Sequence, residues 1–86
     1  MSYTFSDQAW DDYLVWLKTD RTVLAKINRL IAEASRTPFT GIGEPEPLKH
    51  EYAGWWSRRI TPQHRMIYRV IRGDLEIARL RSHYSD

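Results

Sequence analysis

A carboxylate, an arginine and an imidazole lie far apart along this chain, but together they are the groups that metal-free RNA cleavage requires. Glu46 lies between two prolines, Arg65 opens a β-rich stretch, and His83 lies near the end of the sequence. Glutamate is ionised at neutral pH and can take a proton from a 2′-hydroxyl, while histidine can return one to the departing 5′-oxygen. The planar fork of an arginine can hold two phosphate oxygens. These three residues are therefore the candidate catalytic groups.

Each of these residues also has a purely structural interpretation. Glu46 could be a solvated loop acid, Arg65 a solvated arginine on the polar side of a strand, and His83 a surface histidine. The prolines beside Glu46 restrict the backbone and so can fix the direction of the carboxylate, which favours a functional role. The residues by themselves leave both interpretations open.

Length and composition predict one folded domain, residues 1–86. The chain has 86 residues, 42% of them hydrophobic, and four tryptophans, which is typical of a globular domain with one thin core. It has no cysteine, which excludes disulfides and thiolate metal sites. No His, Asp and Glu spacing resembles a metal site, so no metal or cofactor is expected. No signal peptide or apolar run of membrane-spanning length is visible, so no membrane association is expected and a reducing cytoplasm is compatible.

Positive charge is concentrated in the last third of the chain, although the formal net charge is only +2. Acidic residues opposing it there are mainly Asp74 and Glu76. A basic surface of this kind would attract polyanions and speed their encounter, although a solvated sheet face would use the same residues. The arginines in this stretch are Arg58, Arg59, Arg65, Arg69, Arg72, Arg79 and Arg81.

Two amphipathic helices are predicted after a short first strand at residues 2–5. Ser6 can cap the first helix, Asp7 suits its positive end, and apolar residues at helical spacing continue it to about Lys18. The pattern breaks near Asp20, which can cap the second helix. The short connection favours packing of the two helices as a hairpin. The second helix carries one apolar stripe, formed by Val23, Leu24, Ile27, Leu30, Ile31 and Ala34.

A long segment rich in proline and glycine, residues 36–54, separates the helices from three predicted strands. A loop of this length is uncommon in a small domain and is often functional. The strands are predicted at residues 55–60, 65–71 and 75–84, with a hairpin turn at residues 72–74. The order β-α-α-β-β-β predicts an α+β fold in which a helical hairpin packs on one face of an antiparallel sheet.

Side-chain alternation predicts which residues of the last two strands face the core. Met66, Tyr68 and Val70 would share one face of their strand, and Arg65 and Arg69 the other. On the last strand the same rule assigns one face to Arg79, Arg81 and His83 and the other to Leu80 and Tyr84. Large aromatic side chains dominate small cores, so core or dimer contacts are expected for the tryptophans. These are Trp10, Trp16, Trp55 and Trp56.

Several short strings resemble the YoeB toxins of the RelE/ParE superfamily, which are bacterial ribosome-dependent mRNA interferases. They occur in the family's order and cover nearly the whole chain, so together they are far more specific than any one of them. The resemblance implies a RelE-like fold and metal-independent cleavage of translated mRNA in the ribosomal A site, which would inhibit translation. The strings are Trp10–Tyr13, Arg36–Phe39, Pro45–His50, Trp56–Thr61, His64-Arg65 and His83-Tyr84.

The resemblance also implies a role for each candidate catalytic residue. Glu46 would be the general base toward the 2′-hydroxyl, and His83 would be the general acid toward the 5′-oxygen. Arg65 would stabilise the charged phosphate in the transition state. Cleavage would leave a 2′,3′-cyclic phosphate or a 3′-phosphate on the upstream fragment.

Four further residues would form an RNA-binding set. Lys49 and Arg59 would hold phosphates of mRNA or rRNA. His50 would assist acid–base chemistry or only hydrogen-bond Glu46. Tyr84 would stack on a base, although core packing or anchoring of the C-terminus explains it equally well.

The resemblance further implies three partners for the chain. The first is the ribosome with mRNA in its A site. The second is a YefM-like antitoxin whose disordered segment folds over the basic site. The third is a second copy of the chain, giving a homodimer, and all of these would be met in the cytoplasm.

Two departures from the family pattern affect the expected site. Ile42 and Glu44 stand where basic residues are common in the family, which is expected to weaken phosphate contacts nearby. Ser85 and Asp86 follow Tyr84, which leaves the placement of this tyrosine open.

Two other classes of function remain as alternatives. Some RelE/ParE relatives act on DNA gyrase and lack this catalytic trio, so the presence of Glu46, Arg65 and His83 favours RNA cleavage over that class. A plain basic module that binds RNA or an antitoxin is the other alternative. In that case Glu46→Ala would leave growth inhibition intact.

Overall fold

The computed structural model describes residues 1–82, in which two helices pack on a five-stranded mixed sheet. The predicted α+β fold is confirmed, but the sheet is mixed rather than wholly antiparallel, because the first strand pairs parallel with the last strand. The long loop also contains two additional elements. These are the two-residue strand β2 and a single turn of 3₁₀ helix at His50–Tyr52. The helices and strands are β1 (Tyr3–Phe5), α1 (Asp7–Thr19), α2 (Arg21–Arg36), β2 (Glu46–Pro47), β3 (Trp56–Arg59), β4 (Arg65–Ile71) and β5 (Asp74–Ser82).

Both predicted helix caps are present. The Ser6 hydroxyl accepts a hydrogen bond from the backbone N–H of Ala9 at 2.9 Å, which satisfies one of the unpaired donors at the start of α1. The Asp20 carboxylate accepts from the N–H groups of Thr22 and Val23, each at 3.1 Å. Because Asp20 also leaves the helical backbone conformation, it ends α1 and begins α2 within one residue.

The strands lie in the order β1-β5-β4-β3-β2. The pairs among β2, β3, β4 and β5 are antiparallel, as expected for strands joined by short turns. The first strand runs parallel to β5, with Tyr3 opposite Leu75. No hairpin constrains the direction of β1, because both helices lie between it and the next strand in sequence. In this order β5, which follows the other four strands in sequence, lies between β1 and β4.

The core lies between the helices and one face of the sheet. Met66 and Tyr68 are fully buried there and Val70 packs against them, which confirms the predicted alternation on β4. Trp16 and Trp56 pack against the same core, whereas Trp10 is 49% exposed. The helix-side core is completed by Ala9, Ile27, Leu30, Ile31, Ala34, Ile60, Leu75, Ile77 and Leu80.

The alternation predicted for the last strand is interrupted by a bulge. Ile67 pairs with Arg79 and Arg65 pairs with Ser82, so the same stretch has one more residue on β5 than on β4. A second register shift follows between Ile67 and Tyr68. Strict alternation therefore does not hold near the end of β5. Among residues 1–82, neither helix has the length and apolar character needed to cross a membrane.

Candidate active site

Glu46 lies on the edge strand β2, at the end of the segment that was predicted to be a loop. It pairs with Ser57 of β3, and the next residue, Pro47, pairs with Trp56. Proline tolerates this place because an edge strand needs no N–H on its outer side. The Glu46 side chain is exposed and forms no hydrogen bond or ion pair with any residue of the described chain. Within residues 1–82, the position of this side chain is therefore set by the backbone of β2, and no other side chain occupies its carboxylate.

Strand register places Glu46, Arg59 and Arg65 on the same face of the sheet. Paired residues of antiparallel strands share a face, and so do alternate residues along one strand. Glu46 pairs with Ser57, and Ser57 pairs with Ile67; two residues further along, Arg59 pairs with Arg65. This is the face opposite the helices, which we call the open face.

The spacing on the open face suits a substrate that lies between the base and the arginine. Glu46 and Arg65 are separated by two strand spacings and two residues, which puts their Cα atoms on the order of 12 Å apart. Long side chains can approach each other across such a gap. A phosphodiester placed between them would meet the carboxylate on one side and the guanidinium on the other.

The Arg65 side chain is held by the turn that precedes its strand. Its Nη1 donates to the carbonyl oxygen of Thr61 at 3.0 Å, with longer contacts to those of His64 at 3.3 Å and Pro62 at 3.4 Å. Within residues 1–82, these contacts use Nη1 alone. Nε and Nη2 therefore remain able to donate to two oxygens of a phosphate, which is the geometry that a guanidinium recognises best.

Arg59 has an acidic partner, Glu44, in the segment that departs from the family pattern. Its Nη1 lies 3.3 Å from a carboxylate oxygen of Glu44, and its backbone N–H donates to the Gly43 carbonyl at 2.6 Å. Both side chains of the ion pair are well exposed, so the pair adds little stability. It does partly neutralise Arg59. The departure expected to weaken phosphate contacts therefore lies directly beside a predicted RNA-binding residue.

Lys49 and His50 are exposed in the segment between β2 and β3. His50 begins the 3₁₀ turn with a left-handed backbone, φ +58°. Among the described residues it forms no hydrogen bond with Glu46, and its role at the site stays a prediction. Both residues follow Glu46 within four positions and border the same edge of the sheet.

His83 and Tyr84 lie outside the described residues. The nearest described position is Ser82, the last residue of β5, which pairs with Arg65. The chain therefore passes beside Arg65 one residue before His83. Their roles as general acid and as an RNA-binding residue remain predictions.

Arg58 is buried, which corrects its assignment to a basic surface. Its exposure is 0%, and its guanidinium donates to the carbonyl oxygens of Thr37, Thr40 and Ile42 and to the hydroxyl of Tyr68. Burial raises the pKa of Tyr68, against the lowering effect of the Arg58 hydrogen bond and charge. The signal was present in the sequence, because alternation with Trp56 puts Arg58 on the core side of β3. Its function is to hold the loop that leads to β2.

Two further arginines of the expected basic surface are already paired with acids. Arg69 lies 3.0 Å from Glu76 and 4.4 Å above the ring of Trp55. Arg79 donates from Nε to Asp12 at 3.1 Å. Both arginines are therefore already partly neutralised by carboxylates.

Asp12 is a buried carboxylate that the sequence reasoning did not select. It is 1% exposed and lies on α1, facing the end of β5. Burial alone would raise the pKa of Asp12, but hydrogen bonds from Leu80, Gln8 and Arg79, with the charge of Arg79, lower it below the ordinary value of 3.8. Its position three residues after Ala9, on the apolar side of the helix, was the available signal.

Metal ligation has no support in the described part of the chain. No group of three His, Asp or Glu side chains among residues 1–82 could hold an ion. The chemistry available on the open face is proton transfer by a carboxylate and charge stabilisation by a guanidinium.

The arrangement of fold and site matches one family of bacterial toxins. A model of the YoeB-like toxin of bacterial type II toxin–antitoxin systems matches residues 5–84. The chain is 52% identical over 84 residues to Toxin YoeB of Escherichia coli strain K12, which covers 98% of this chain and all of the relative. The family model and this relative together show a toxin of a type II toxin–antitoxin system. Within that class, the chain belongs to the YoeB-like toxin family.

Solved structures of relatives have the same fold. A YoeB/ParE toxin from Agrobacterium tumefaciens superposes with a TM-score of 0.94 at 51% identity, over 98% of this chain and all of that one. A YoeB dimer from Staphylococcus aureus gives 0.91 at 39% identity, over 98% of each chain. A heterotetrameric YoeB–YefM toxin–antitoxin complex from the same organism gives 0.90 at 39%, again over 98% of each chain.

Proposed function

We propose that this chain is a ribosome-dependent mRNA interferase, an endoribonuclease that cleaves translated mRNA in the ribosomal A site. Residues 1–86 act as one toxin domain. Glu46 removes the proton of the 2′-hydroxyl, which attacks the adjacent phosphorus. Arg65 stabilises the charged phosphorane, and His83 protonates the departing 5′-oxygen. The proposal needs no metal and no cofactor, because proton transfer and charge stabilisation supply the chemistry.

The placement of Glu46 and Arg65 on one face of the sheet is the strongest support for the proposal. Glu46 and Arg65 share the open face of the sheet, and the end of β5 passes beside Arg65 one residue before His83. Within residues 1–82, a carboxylate without a partner, on the same face as a guanidinium with free donors, contributes little to stability. It is what a phosphodiester with a neighbouring hydroxyl requires.

The ribosome supplies what the small domain lacks. The open face is a shallow surface around an edge strand and has few groups that could order a flexible single strand of RNA. Positioning the reacting atoms in line can contribute about 7–11 kcal/mol to catalysis. We therefore expect the A site to hold the codon in the reactive geometry. Lys49, His50, Arg59 and Tyr84 would contact mRNA or rRNA around it.

A primer-extension assay on ribosomes programmed with mRNA tests the proposal. The wild-type protein should cut within the A-site codon, and free mRNA should be cut far more slowly. Glu46→Gln removes the base and should lower the cleavage rate about 10²–10⁴-fold. Glu51→Gln removes an equal charge from the same exposed segment and should leave the rate unchanged within about twofold. Equal rates on free and ribosome-bound mRNA, or full activity of Glu46→Gln, would contradict the proposal.

The same samples separate the alternative functions. A gyrase inhibitor would impair DNA supercoiling and produce no A-site cut. A non-catalytic RNA-binding or antitoxin-binding module would inhibit growth equally well as wild type and as Glu46→Gln. The free carboxylate of Glu46 favours the enzyme over both.

We further propose an antitoxin and a second copy as partners. The support is the relatives from Staphylococcus aureus, whose structures are a YoeB dimer and a YoeB–YefM complex. An acidic antitoxin segment would lie over the open face, where Arg65 and Lys49 could receive it. Action on translating ribosomes would place the protein in the cytoplasm.

A further inference from the structure

The buried carboxylate of Asp12 accepts four hydrogen bonds at the end of β5. Gln8 Nε2 donates to Oδ1 at 3.1 Å. Oδ2 accepts from Nε of Arg79 at 3.1 Å and from the backbone N–H groups of Leu80 at 2.9 Å and Arg81 at 3.1 Å. Two of these four bonds go to main chain of the strand, so Asp12 acts on the backbone of β5 as well as on a side chain.

The two N–H groups bound by Asp12 belong to the β-bulge. Two residue steps on β4, from Arg65 to Ile67, are matched by three on β5, from Arg79 to Ser82. A bulge of this kind leaves backbone donors without a partner on the neighbouring strand, and buried donors without partners are costly. Asp12 accepts both donors, and so stabilises the bend of β5 at this point.

A second residue of α1 holds the same peptide from its other side. Nε1 of Trp16 donates to the carbonyl oxygen of Leu80 at 2.8 Å. Asp12 and Trp16 are four residues apart and therefore lie on one face of the helix. Together they fix the N–H and the C=O of Leu80 relative to a rigid helix. The chain reaches Ser82, beside Arg65, only two residues later.

We infer that Asp12 is a positioning residue that, together with Trp16, fixes the end of β5 beside Arg65, where the chain leads into the proposed general acid. The inference rests on the proposed function. A carboxylate placed for stability alone could be satisfied by the Arg79 side chain. Asp12 instead accepts two hydrogen bonds from the backbone shortly before the proposed general acid.

Steady-state cleavage of ribosome-bound mRNA tests the inference with a matched pair of variants. Asp12→Asn keeps the shape of the side chain but loses its charge and half of its acceptor capacity. Misplacement of the acid should lower kcat about tenfold to a hundredfold, while KM stays within about twofold because RNA contacts are untouched. Asp11→Asn, an exposed neighbour on the same helix, should leave both values within about twofold. An unchanged kcat for Asp12→Asn would overturn the inference.

NMR supplies a readout that does not depend on cleavage. In Asp12→Asn the amide hydrogens of Leu80 and Arg81 should exchange at least about tenfold faster, and the imidazole shifts of His83 should move. In Asp11→Asn neither should change. Unchanged His83 shifts in Asp12→Asn would overturn the inference even if kcat fell. If the wild-type protein does not cleave mRNA, the proposed function fails while the NMR comparison still decides the placement.

A second variant covers the case in which Asp12→Asn does not fold. Trp16→Phe keeps an aromatic ring in the core and removes only the donor to the Leu80 carbonyl. It should shift the His83 imidazole signals and lower kcat in the same direction, by less than Asp12→Asn is expected to. Wild-type His83 signals in a folded Trp16→Phe protein would contradict the inference that Asp12 and Trp16 together position the end of β5.

Discussion

Glu46 and Asp12 are two carboxylates held in opposite ways within one small domain. Glu46 is exposed on an edge strand and has no partner in the described chain, so its oxygens remain available to a substrate. Asp12 is 1% exposed and its oxygens are occupied by four donors. The first is suited to proton transfer and the second to fixing geometry. Residue type alone does not separate these uses; partners and burial do.

The hydrogen bonds of Asp12 predict a specific pH dependence of stability. Its pKa is lower in the folded chain than the ordinary 3.8, so the folded state favours the ionised form. The stabilisation is therefore present above about pH 4 and is lost as the pH falls through the folded pKa. Asp12→Asn should lower the free energy of unfolding by about 2 kcal/mol at pH 7 and by progressively less below pH 4. Urea unfolding between pH 3 and 7 measures the difference.

The matched variant for that measurement is Asp11→Asn. Asp11 is exposed on the same helix, so its replacement should leave the stability curve nearly parallel to that of the wild type. A constant stability difference between Asp12→Asn and wild type across this range would show that the charge of Asp12 is not what the backbone of β5 uses.

The loop from α2 to β2 is the element that places the proposed base. Arg58 of β3 reaches into it and binds the carbonyl oxygens of Thr37, Thr40 and Ile42. Gly43 accepts the N–H of Arg59, which ties the end of the loop to the same strand. A segment without regular hydrogen bonding is thus fixed by a buried guanidinium.

A pair of glycine variants tests how tightly that loop is packed. Gly43 and Gly54 both have positive φ, +83° and +95°, so an added Cβ strains either backbone by about 1 kcal/mol. At Gly43 the Cβ would also lie 2.8 Å from a Leu30 methyl and 3.1 Å from the Arg58 Cβ, whereas at Gly54 no atom lies within 4 Å. Gly43→Ala should therefore be about 1–3 kcal/mol less stable than Gly54→Ala. Thermal or urea unfolding measures the difference.

Activity adds a second reading of the same pair. Because the loop leads directly into Glu46, Gly43→Ala should also lower the cleavage rate, while Gly54→Ala should affect it less. Equal stability and equal activity of the two variants would mean that the loop yields easily and does not position β2.

The sequence predicts helices and long strands better than it predicts bulges and short connecting strands. Helix caps at Ser6 and Asp20 follow from side-chain chemistry and are confirmed, as is the alternation that buries Met66 and Tyr68. The bulge in β5 is not predictable, because it depends on a carboxylate from a distant helix. Strand β2 is too short to have a period. For the site, Glu46, Arg65 and His83 are predicted from residue type and family resemblance, and the sheet register places Glu46 and Arg65 on one face.

At the scale of the whole molecule, the formal net charge of +2 does not show how much positive charge is available at the surface. Much of the positive charge in the last third of the chain is already used inside the fold or in ion pairs. Arg58 is buried, Arg69 is paired with Glu76, and Arg79 is paired with Asp12. These three arginines are therefore less available to a polyanion than their number in the sequence suggests.

The salt dependence of RNA binding measures how many cations are available. Arg65, Lys49 and Arg59 would give about three phosphate contacts, so log K against log salt should have a slope near about −2 for a short single strand. RNA binding is measured by fluorescence anisotropy in a Glu46→Gln background, because this substitution prevents cleavage during the measurement. Arg65→Gln should make the slope shallower by about 0.7, whereas Arg69→Gln should leave it unchanged. A slope steeper than about −4 before Arg65 is replaced would contradict the assignment, because it would require cations beyond these three to bind RNA.

The position of β5 has a consequence for how the protein is made. This strand is the last of the five to be synthesised, yet it lies between the first strand and β4. A nascent chain therefore cannot close its core while β5 is still inside the exit tunnel, however well the helices have formed. Closure of the core is thereby delayed until after β1, β2, β3 and β4 have been made, because their common sheet is incomplete without β5.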